Sequence, residues 1–162
     1  MSTKDFLQRI KDEDIEYVDV RFTDTRGKLQ HVTVVCDLVD EDFIEEGFMF
    51  DGSSIAGWKS IEASDMKLML DVSTAYIDPF YAEKTICVHC SIVEPDTGES
   101  YDRDPRGTAQ KAEAYLISSG IGDTAYMGPE AEFFLFDNVK FSNSINKVSY
   151  EVDASDASWN TD

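Results

Sequence analysis

Residues 17–35 have the sequence YVDVRFTDTRGKLQHVTVV, and this stretch decides the fold class of the first part of the chain. Apolar residues alternate with polar ones on both sides of a central DTRG; they include Val18, Val20, Phe22, Val32 and Val34. A period of two is typical of a strand that buries one face. The stretch therefore predicts a hairpin of two strands joined by a turn at residues 24–27.

Two short helices are predicted to accompany the hairpin. Thr3 is expected to cap the first, in which Phe6 and Ile10 share an apolar face. The second covers residues 39–46 and is expected to end at Gly47, because glycine readily adopts the backbone conformation that terminates helices.

Further strands are predicted at residues 67–71 and 85–93, the second being rich in β-branched and small apolar residues. Residues 48–60 contain two glycines and show no apolar period, which predicts a loop. The first hundred residues are thus expected to be strands with short helices.

The chain is predicted to divide near residue 100. Residues 94–107 (EPDTGESYDRDPRG) are polar and rich in turn residues, as domain boundaries usually are. A helix with an alanine-rich packing face is predicted over residues 106–119, and a strand over residues 124–136. We predict an α+β fold with one domain at residues 1–100 and the beginning of a second at residues 101–162.

The charge of the chain restricts its partners. The sequence has 33 Asp plus Glu against 14 Lys plus Arg, a formal net charge of −19. Such a field repels phosphate backbones and anionic lipid, so neither nucleic acid nor a membrane is an expected partner. No apolar run is long enough for a signal peptide or a membrane span, and the three cysteines do not suggest a disulfide framework. A cytoplasmic protein is expected.

Residues 128–136, GPEAEFFLF, place two glutamates in an apolar stretch. Residues two apart on a strand point the same way, so Glu130 and Glu132 would share one face, about 6.5–7 Å apart at the backbone. Burying unpaired carboxylates is costly, so a counter-charge is expected beside them. Mg²⁺ or Mn²⁺ would fit, because hard cations prefer oxygen ligands. Exposure at the mouth of the strand, or pairing with Lys or Arg, is the alternative.

Residues 49–58, MFDGSSIAGW, are the second candidate. Asp51 and Gly52 favour a tight turn, and the serine hydroxyls can bond to its backbone, so a plain surface loop is one interpretation. Yet the loop carries four large apolar residues, among them Trp58, which is more than a solvated loop should show. It is therefore expected to dock on another body, where Asp51 could serve as a general base or as an anionic site for a small cation.

Cys87, His89 and Cys90 superficially resemble a metal or redox motif, but no such site is predicted. They lie within the predicted strand at residues 85–93, where residues three apart face opposite sides of the sheet. The two thiols therefore cannot converge on one ion, and both are interpreted as structural. His31, the other histidine, is interpreted as a residue on a strand face.

The segments MFDGSSIAGW and GPEAEFFLFD resemble signature segments of the bacterial class of glutamine synthetase. The resemblance continues, in order, through YVDVRFTDTRGKLQHVTV, AYIDPF and CSIVEPDTGESYDRDPRGTAQKAEAYL. It implies a small N-terminal β-grasp domain followed by the truncated start of the glutamine synthetase catalytic domain.

The resemblance also implies a reaction. ATP would phosphorylate the γ-carboxylate of glutamate, and ammonia would displace the phosphate to give glutamine. The implied substrates are glutamate, ammonium and ATP, and the implied cofactors are two divalent ions, Mg²⁺ or Mn²⁺, per active site. Matched to the family motifs, Glu130 and Glu132 would be ligands of those ions. Asp51, with Ser54 beside it, would help to bind ammonium and remove its proton.

The same resemblance implies partner subunits. In that family the loop reaches the active site of a neighbouring subunit within a dodecamer of two stacked rings, which would make Trp58 part of an intersubunit contact. The chain is expected to carry only part of the active site and to be inactive alone, since it ends before other metal ligands and most of the ATP site. The alternative hypothesis is a noncatalytic truncated homologue or fragment that acts as an assembly or binding module.

Overall fold

The computed structural model describes residues 1–160, which divide into one compact unit of Met1–Ala125 and a second that begins at Tyr126. The strands of the first unit are β1 (Tyr17–Thr23), β2 (Leu29–Val35), β3 (Phe48–Asp51), β4 (Asp65–Ile77) and β5 (Thr85–Val93). Its helices are α1 (Thr3–Asp12), α2 (Glu41–Glu46) and α3 (Pro105–Ser119). The mixture of helices with a largely antiparallel sheet confirms the predicted α+β class.

The sheet has the strand order β2-β1-β5-β4-β3. β1 pairs parallel with β5, and the other neighbours are antiparallel. The predicted hairpin is confirmed as β1 and β2, with Val18 opposite Val34. Its turn is fixed by Asp24, whose Oδ1 accepts hydrogen bonds from the backbone N–H groups of Arg26 (2.8 Å) and Lys28 (3.0 Å). The predicted strand at residues 85–93 is confirmed as β5.

One face of the sheet forms the core. Alternate residues of its central strands are fully buried there together with Phe6 of α1; these are Val18, Val20, Met66, Leu68, Ile86, Val88 and Ile92. Burying such side chains supplies about 1.5–3 kcal/mol each. α1 packs on α2 and β4, as expected from its apolar face. The opposite face of the central strands carries polar residues.

The buried carboxylate of Asp19 organises this polar face. It has no exposed surface and accepts hydrogen bonds from Nε of Arg21 (2.6 Å), the hydroxyl of Thr33 (2.8 Å) and Nδ1 of His31 (2.8 Å). Arg21 also donates to Asp78 at 2.6 Å. The prediction that His31 lies on a strand face is confirmed, and Asp19 is its partner there.

The helix ends differ slightly from expectation. Ser2, not Thr3, caps α1: its hydroxyl accepts the N–H of Asp5, whose carboxylate accepts the N–H of Ser2 in return. The second helix is shorter than predicted and is capped by Asp40. It ends at Gly47 as expected, with a φ of 83°.

Two predictions of strand and loop in the first unit need correction. Residues 48–51 form the strand β3 instead of a loop, because Phe48 and Phe50 pair with Leu68 and Met66 of β4. β4 itself extends from Asp65 to Ile77, well beyond the predicted residues 67–71. Backbone pairing, which is not visible in the local pattern, decides both.

The predicted helix near residue 106 is present as α3. Asp104, which is buried, caps it through the N–H of Arg106 at 3.0 Å, and Gly120 ends it in the left-handed conformation. Its alanine-rich side, however, is exposed rather than packed, and the ring of Tyr115 is 73% exposed. The predicted packing face therefore has no partner within the described part of the chain.

The second unit is built on a hairpin of β6 (Asn138–Ser144) and β7 (Lys147–Asp153). The strand predicted over residues 124–136 is wrong for this structure: no residue from 123 to 136 lies in a strand. A strand needs neighbours for its backbone N–H and C=O groups, and no strand within residues 1–160 pairs with this segment.

Among residues 1–160, no helix is long and apolar enough to cross a membrane.

Candidate functional site

Asp51 stands at the end of β3, where the chain leaves the sheet in one turn of 3₁₀ helix, Gly52–Ser54. Its Oδ1 accepts the backbone N–H of Ser53 at 2.8 Å and the Ser53 hydroxyl at 2.6 Å. The Ser54 hydroxyl lies 3.5 Å from Oδ2, a weak contact. The structure thus brings Asp51 and Ser54 together, and it adds Ser53, which the sequence interpretation did not name.

Gly52 allows this turn to lie close to β4. Its backbone N–H donates to the carbonyl oxygen of Ser64 at 2.7 Å. A Cβ atom at position 52 would lie 2.6 Å from Cγ of Met66 and 3.1 Å from the Ser64 oxygen, both too close. A glycine is therefore required here for close approach, which fixes where Asp51 emerges from the sheet.

The Asp51 carboxylate is exposed and held in its ionised form. Hydrogen bonds from the side chain and backbone of Ser53 lower its pKa below the ordinary value for aspartate. Asp65 lies directly opposite Asp51 in the antiparallel pair, so a second negative charge stands next to it on the strand pair. This arrangement suits a small cation better than an anion.

Two of the large apolar residues of the loop lie within the core of their own unit. Ile55 and Trp58 are buried within the first unit itself, at 7% and 5% exposure. The Trp58 ring packs on Phe22 (5.6 Å between centroids) and on Tyr101 (5.3 Å). Most of the Trp58 ring therefore lies inside the core of its own unit, and the expected intersubunit contact at this residue stays a prediction. Of the loop's large apolar residues, Met49 is the most exposed, at 46%.

Glu130 and Glu132 lie in an exposed segment of the second unit, residues 126–136, that forms neither helix nor strand. Neither takes part in a salt bridge among residues 1–160. The neighbouring Phe133 and Phe134 are 77% and 86% exposed. The expectation that both glutamates are buried on a strand is thus wrong here, since the segment has no partner strands. The alternative of pairing with Lys or Arg is not seen in this part of the chain either.

The donor chemistry of these two glutamates fits a divalent ion as part of a site. Both offer carboxylate oxygens, which are the ligands that Mg²⁺ and Mn²⁺ prefer. Two carboxylates are fewer than the roughly six ligands such an ion requires. Within the described residues, no group of three or more His, Cys, Asp or Glu side chains is placed to hold a metal ion. Further ligands would have to come from outside this part.

The structural interpretation of the cysteines is confirmed. Cys87 and Cys90 are both buried in β5, and Cys90 belongs to the apolar core whereas Cys87 lies beside Asp78 on the polar face. Burial raises the pKa of the Cys87 thiol to about 11, so it stays protonated and unreactive.

Sequence reasoning also missed the residues that hold the Asp51 loop from behind. Tyr101 and Arg103, both from the predicted polar boundary, donate hydrogen bonds to the Trp58 carbonyl oxygen at the end of the loop. Lys59, the next residue after the loop, donates to Glu94. The available signal was a single aromatic residue, Tyr101, within that polar stretch.

Two family models cover most of the chain. The model of the glutamine synthetase β-grasp domain matches residues 14–95, and that of the glutamine synthetase catalytic domain matches residues 102–161. The chain belongs to the glutamine synthetase family. The predicted resemblance, with a β-grasp domain followed by the start of the catalytic domain, is thereby confirmed.

Glutamine synthetases of bacteria are similar to this chain over nearly its whole length. That of Cereibacter sphaeroides is 72% identical over 158 residues, which are 98% of this chain and 34% of the relative. That of Rhodobacter capsulatus is 68% identical over 161 residues, 99% of this chain and 36% of the relative. The chain therefore spans about a third of the length of these curated relatives.

A solved glutamine synthetase has the same fold. The Plasmodium falciparum enzyme, determined by cryo-electron microscopy, aligns with a TM-score of 0.72 at 24% identity, over 94% of this chain and 30% of that one. At that identity the likeness establishes the fold of the glutamine synthetase portion and nothing finer.

Proposed function

We propose that this chain supplies part of the active site of an ATP-dependent glutamine synthetase, a cytoplasmic ligase that joins ammonia to the γ-carboxylate of glutamate. The observation that carries the proposal is the 72% identity to a bacterial glutamine synthetase over 98% of the chain. ATP would activate glutamate as a γ-glutamyl phosphate, which ammonia would then attack. The division into residues 1–100 and 101–162 is proposed to separate the part that presents Asp51 from the part that presents the glutamates.

Asp51 is proposed to bind ammonium and to assist its deprotonation, with Ser54 beside it. The exposed carboxylate, the hydrogen bonds that lower its pKa and the opposing Asp65 all support a cation site. A carboxylate with a depressed pKa is a weak proton acceptor but a strong anionic partner. Of the two proposed roles of Asp51, ammonium binding is therefore better supported than deprotonation. Removal of the ammonium proton would be coupled to the attack of ammonia on the phosphorylated glutamate.

Glu130 and Glu132 are proposed to be ligands of Mg²⁺ or Mn²⁺. Bound there, divalent ions would neutralise phosphate charge during transfer from ATP. The chain's own contribution is two carboxylates, two residues apart on an exposed segment, that form no salt bridge within residues 1–160. Neighbouring subunits of a homo-dodecamer are the proposed partners, as the family resemblance implies. The alternative, a noncatalytic assembly module, is less favoured because the relatives named above are glutamine synthetases.

The proposal is tested by glutamine formation from glutamate, ammonium and ATP in the full-length protein that contains this sequence. Asp51→Asn is expected to lower turnover by about 10²-fold, the range found for removal of a proton-transfer group. Asp96→Asn, an exposed acid in a turn, serves as the control and should leave turnover unchanged. Absence of ATP-dependent glutamine formation in the wild type, or equal activity of the two variants, would contradict the proposal.

A further inference from the structure

The loop that carries Asp51 is held in place at its far end, by the segment that follows β5. The hydroxyl of Tyr101 donates a buried hydrogen bond of 2.9 Å to the carbonyl oxygen of Trp58. The two rings also meet edge to face, with their centroids 5.3 Å apart. Tyr101 is 7% exposed, so this contact lies inside the fold and is shielded from competing water.

Two charged residues support the same contact. Arg103 donates to the carbonyl oxygens of Gly57 and Trp58. Lys59, directly after the loop, donates to both carboxylate oxygens of Glu94 at 2.6 and 2.7 Å, and its Nζ lies 5.1 Å from the centre of the Tyr101 ring. The loop end is thus bound through backbone, side chain and ring contacts.

The anchoring segment is itself fixed to the sheet. The backbone N–H of Tyr101 donates to the carbonyl oxygen of Ile92 at 2.9 Å, and the N–H of Ile92 donates to the buried carboxylate of Asp104 at 3.0 Å. Because Ile92 lies in the central strand β5, Tyr101 connects the end of the loop to the middle of the sheet.

Within the loop, a chain of backbone hydrogen bonds leads from Trp58 towards Asp51. The N–H of Trp58 donates to the carbonyl oxygen of Ile55, and the N–H of Ile55 donates to that of Gly52, each at 3.1 Å. We infer that Tyr101 is a positioning residue that sets the place of the Asp51 carboxylate for ammonium, an inference that rests on the proposed function of Asp51. Arg103 and Lys59 reinforce this position.

The test separates positioning from general stabilisation. In the full-length protein, Tyr101→Phe removes the hydroxyl and keeps the ring on Trp58. Turnover is measured with ammonium and with hydroxylamine, which is neutral at pH 7 and attacks without prior deprotonation. Hydrogen exchange of the amides of residues 51–59 gives a second readout that does not depend on activity. Tyr81→Phe is the matched control, since that ring is 40% exposed.

We expect Tyr101→Phe to raise the KM for ammonium by up to about tenfold, the effect of one lost hydrogen bond, with the KM for glutamate and turnover with hydroxylamine retained. Exchange of residues 51–59 should accelerate while that of β5 is unchanged. Unaltered exchange, or equal losses with both nucleophiles, would overturn the inference. Asp51→Asn is assayed alongside: if it too leaves the ammonium to hydroxylamine ratio unchanged, the proposed function of Asp51 fails, whatever the exchange data show.

Discussion

Ser53 donates both its backbone N–H and its hydroxyl to the same carboxylate oxygen of Asp51, at 2.8 and 2.6 Å. The two bonds close a turn that holds the carboxylate at the end of β3 and stabilise its ionised form. Ser54, which the family resemblance singles out, makes only a contact of 3.5 Å. The hydroxyl at position 53 is therefore the stronger influence on the charge of Asp51.

Ser53→Ala is predicted to raise the pKa of Asp51 towards the ordinary value for aspartate. The hydroxyl bond that favours the ionised form is lost, whereas the backbone bond remains. A raised pKa means that Asp51 becomes protonated at a higher pH, so the acid limb of any activity that needs its charge moves to higher pH. Carbon-13 titration of the carboxyl group measures the shift directly. Ser54→Ala is the comparison, and a larger shift in that variant would contradict the prediction.

Gly52→Ala is predicted to displace the turn that carries Asp51. The new Cβ would press on the Met66 side chain and the Ser64 carbonyl oxygen, and overpacking of this kind typically costs about 1–3 kcal/mol of unfolding free energy. Urea unfolding measures the loss. Gly128→Ala is the control, because no described atom lies within 4 Å of a Cβ built there. Equal stability of the two variants would show that the turn does not depend on the close approach.

Asp19→Asn is predicted to lower the free energy of unfolding by about 2–4 kcal/mol at neutral pH. It replaces a buried acceptor of three hydrogen bonds with a group that can accept fewer and brings new N–H atoms towards Arg21. Urea unfolding again measures the change, with the exposed Asp96→Asn as control. A loss no larger than that of the control would mean that Asp19 is not important for stability.

The effect of Asp19 should also depend on pH. Burial raises the pKa of this carboxyl group, but hydrogen bonds from His31, Arg21 and Thr33 outweigh burial and leave the pKa below its ordinary value. A depressed pKa contributes stability above the unfolded pKa of about 3.9, and this contribution is lost as pH falls through the folded pKa. The stability difference between wild type and Asp19→Asn is therefore predicted to narrow below about pH 4. A stability difference between wild type and Asp19→Asn that stays constant down to about pH 2 would contradict this prediction.

Local patterns predicted those parts of the fold that depend on neighbours in sequence. The alternation around DTRG predicts β1 and β2, and the β-branched run at residues 85–93 predicts β5. In each case the pattern of apolar residues along the strand is sufficient for the prediction. Gly47 marks the end of α2 in the sequence because few other residues adopt a positive φ. These features need no knowledge of distant partners.

Features that depend on distant partners could not be predicted. The apolar run ending at Phe136 has the pattern of a buried strand, yet it is exposed because no strand among residues 1–160 pairs with it. The apolar content of the loop predicts an outward contact for Trp58, whereas its ring packs on Phe22 and Tyr101, which lie far away in sequence. Spacing on a strand singles out the two glutamates, and the apolar content of its loop singles out Asp51, but neither pattern indicates the role of Ser53 or the anchor at Tyr101.

The central claim is the proposal that Glu130 and Glu132 of this chain are metal ligands of a glutamine-forming site. The most direct test is a Mn²⁺ titration of the full-length protein by calorimetry, comparing wild type with Glu132→Gln and with the exposed control Glu99→Gln. Loss of a carboxylate ligand is predicted to weaken binding of one ion by at least about tenfold, with the control unchanged. Unchanged Mn²⁺ affinity in Glu132→Gln would contradict the account.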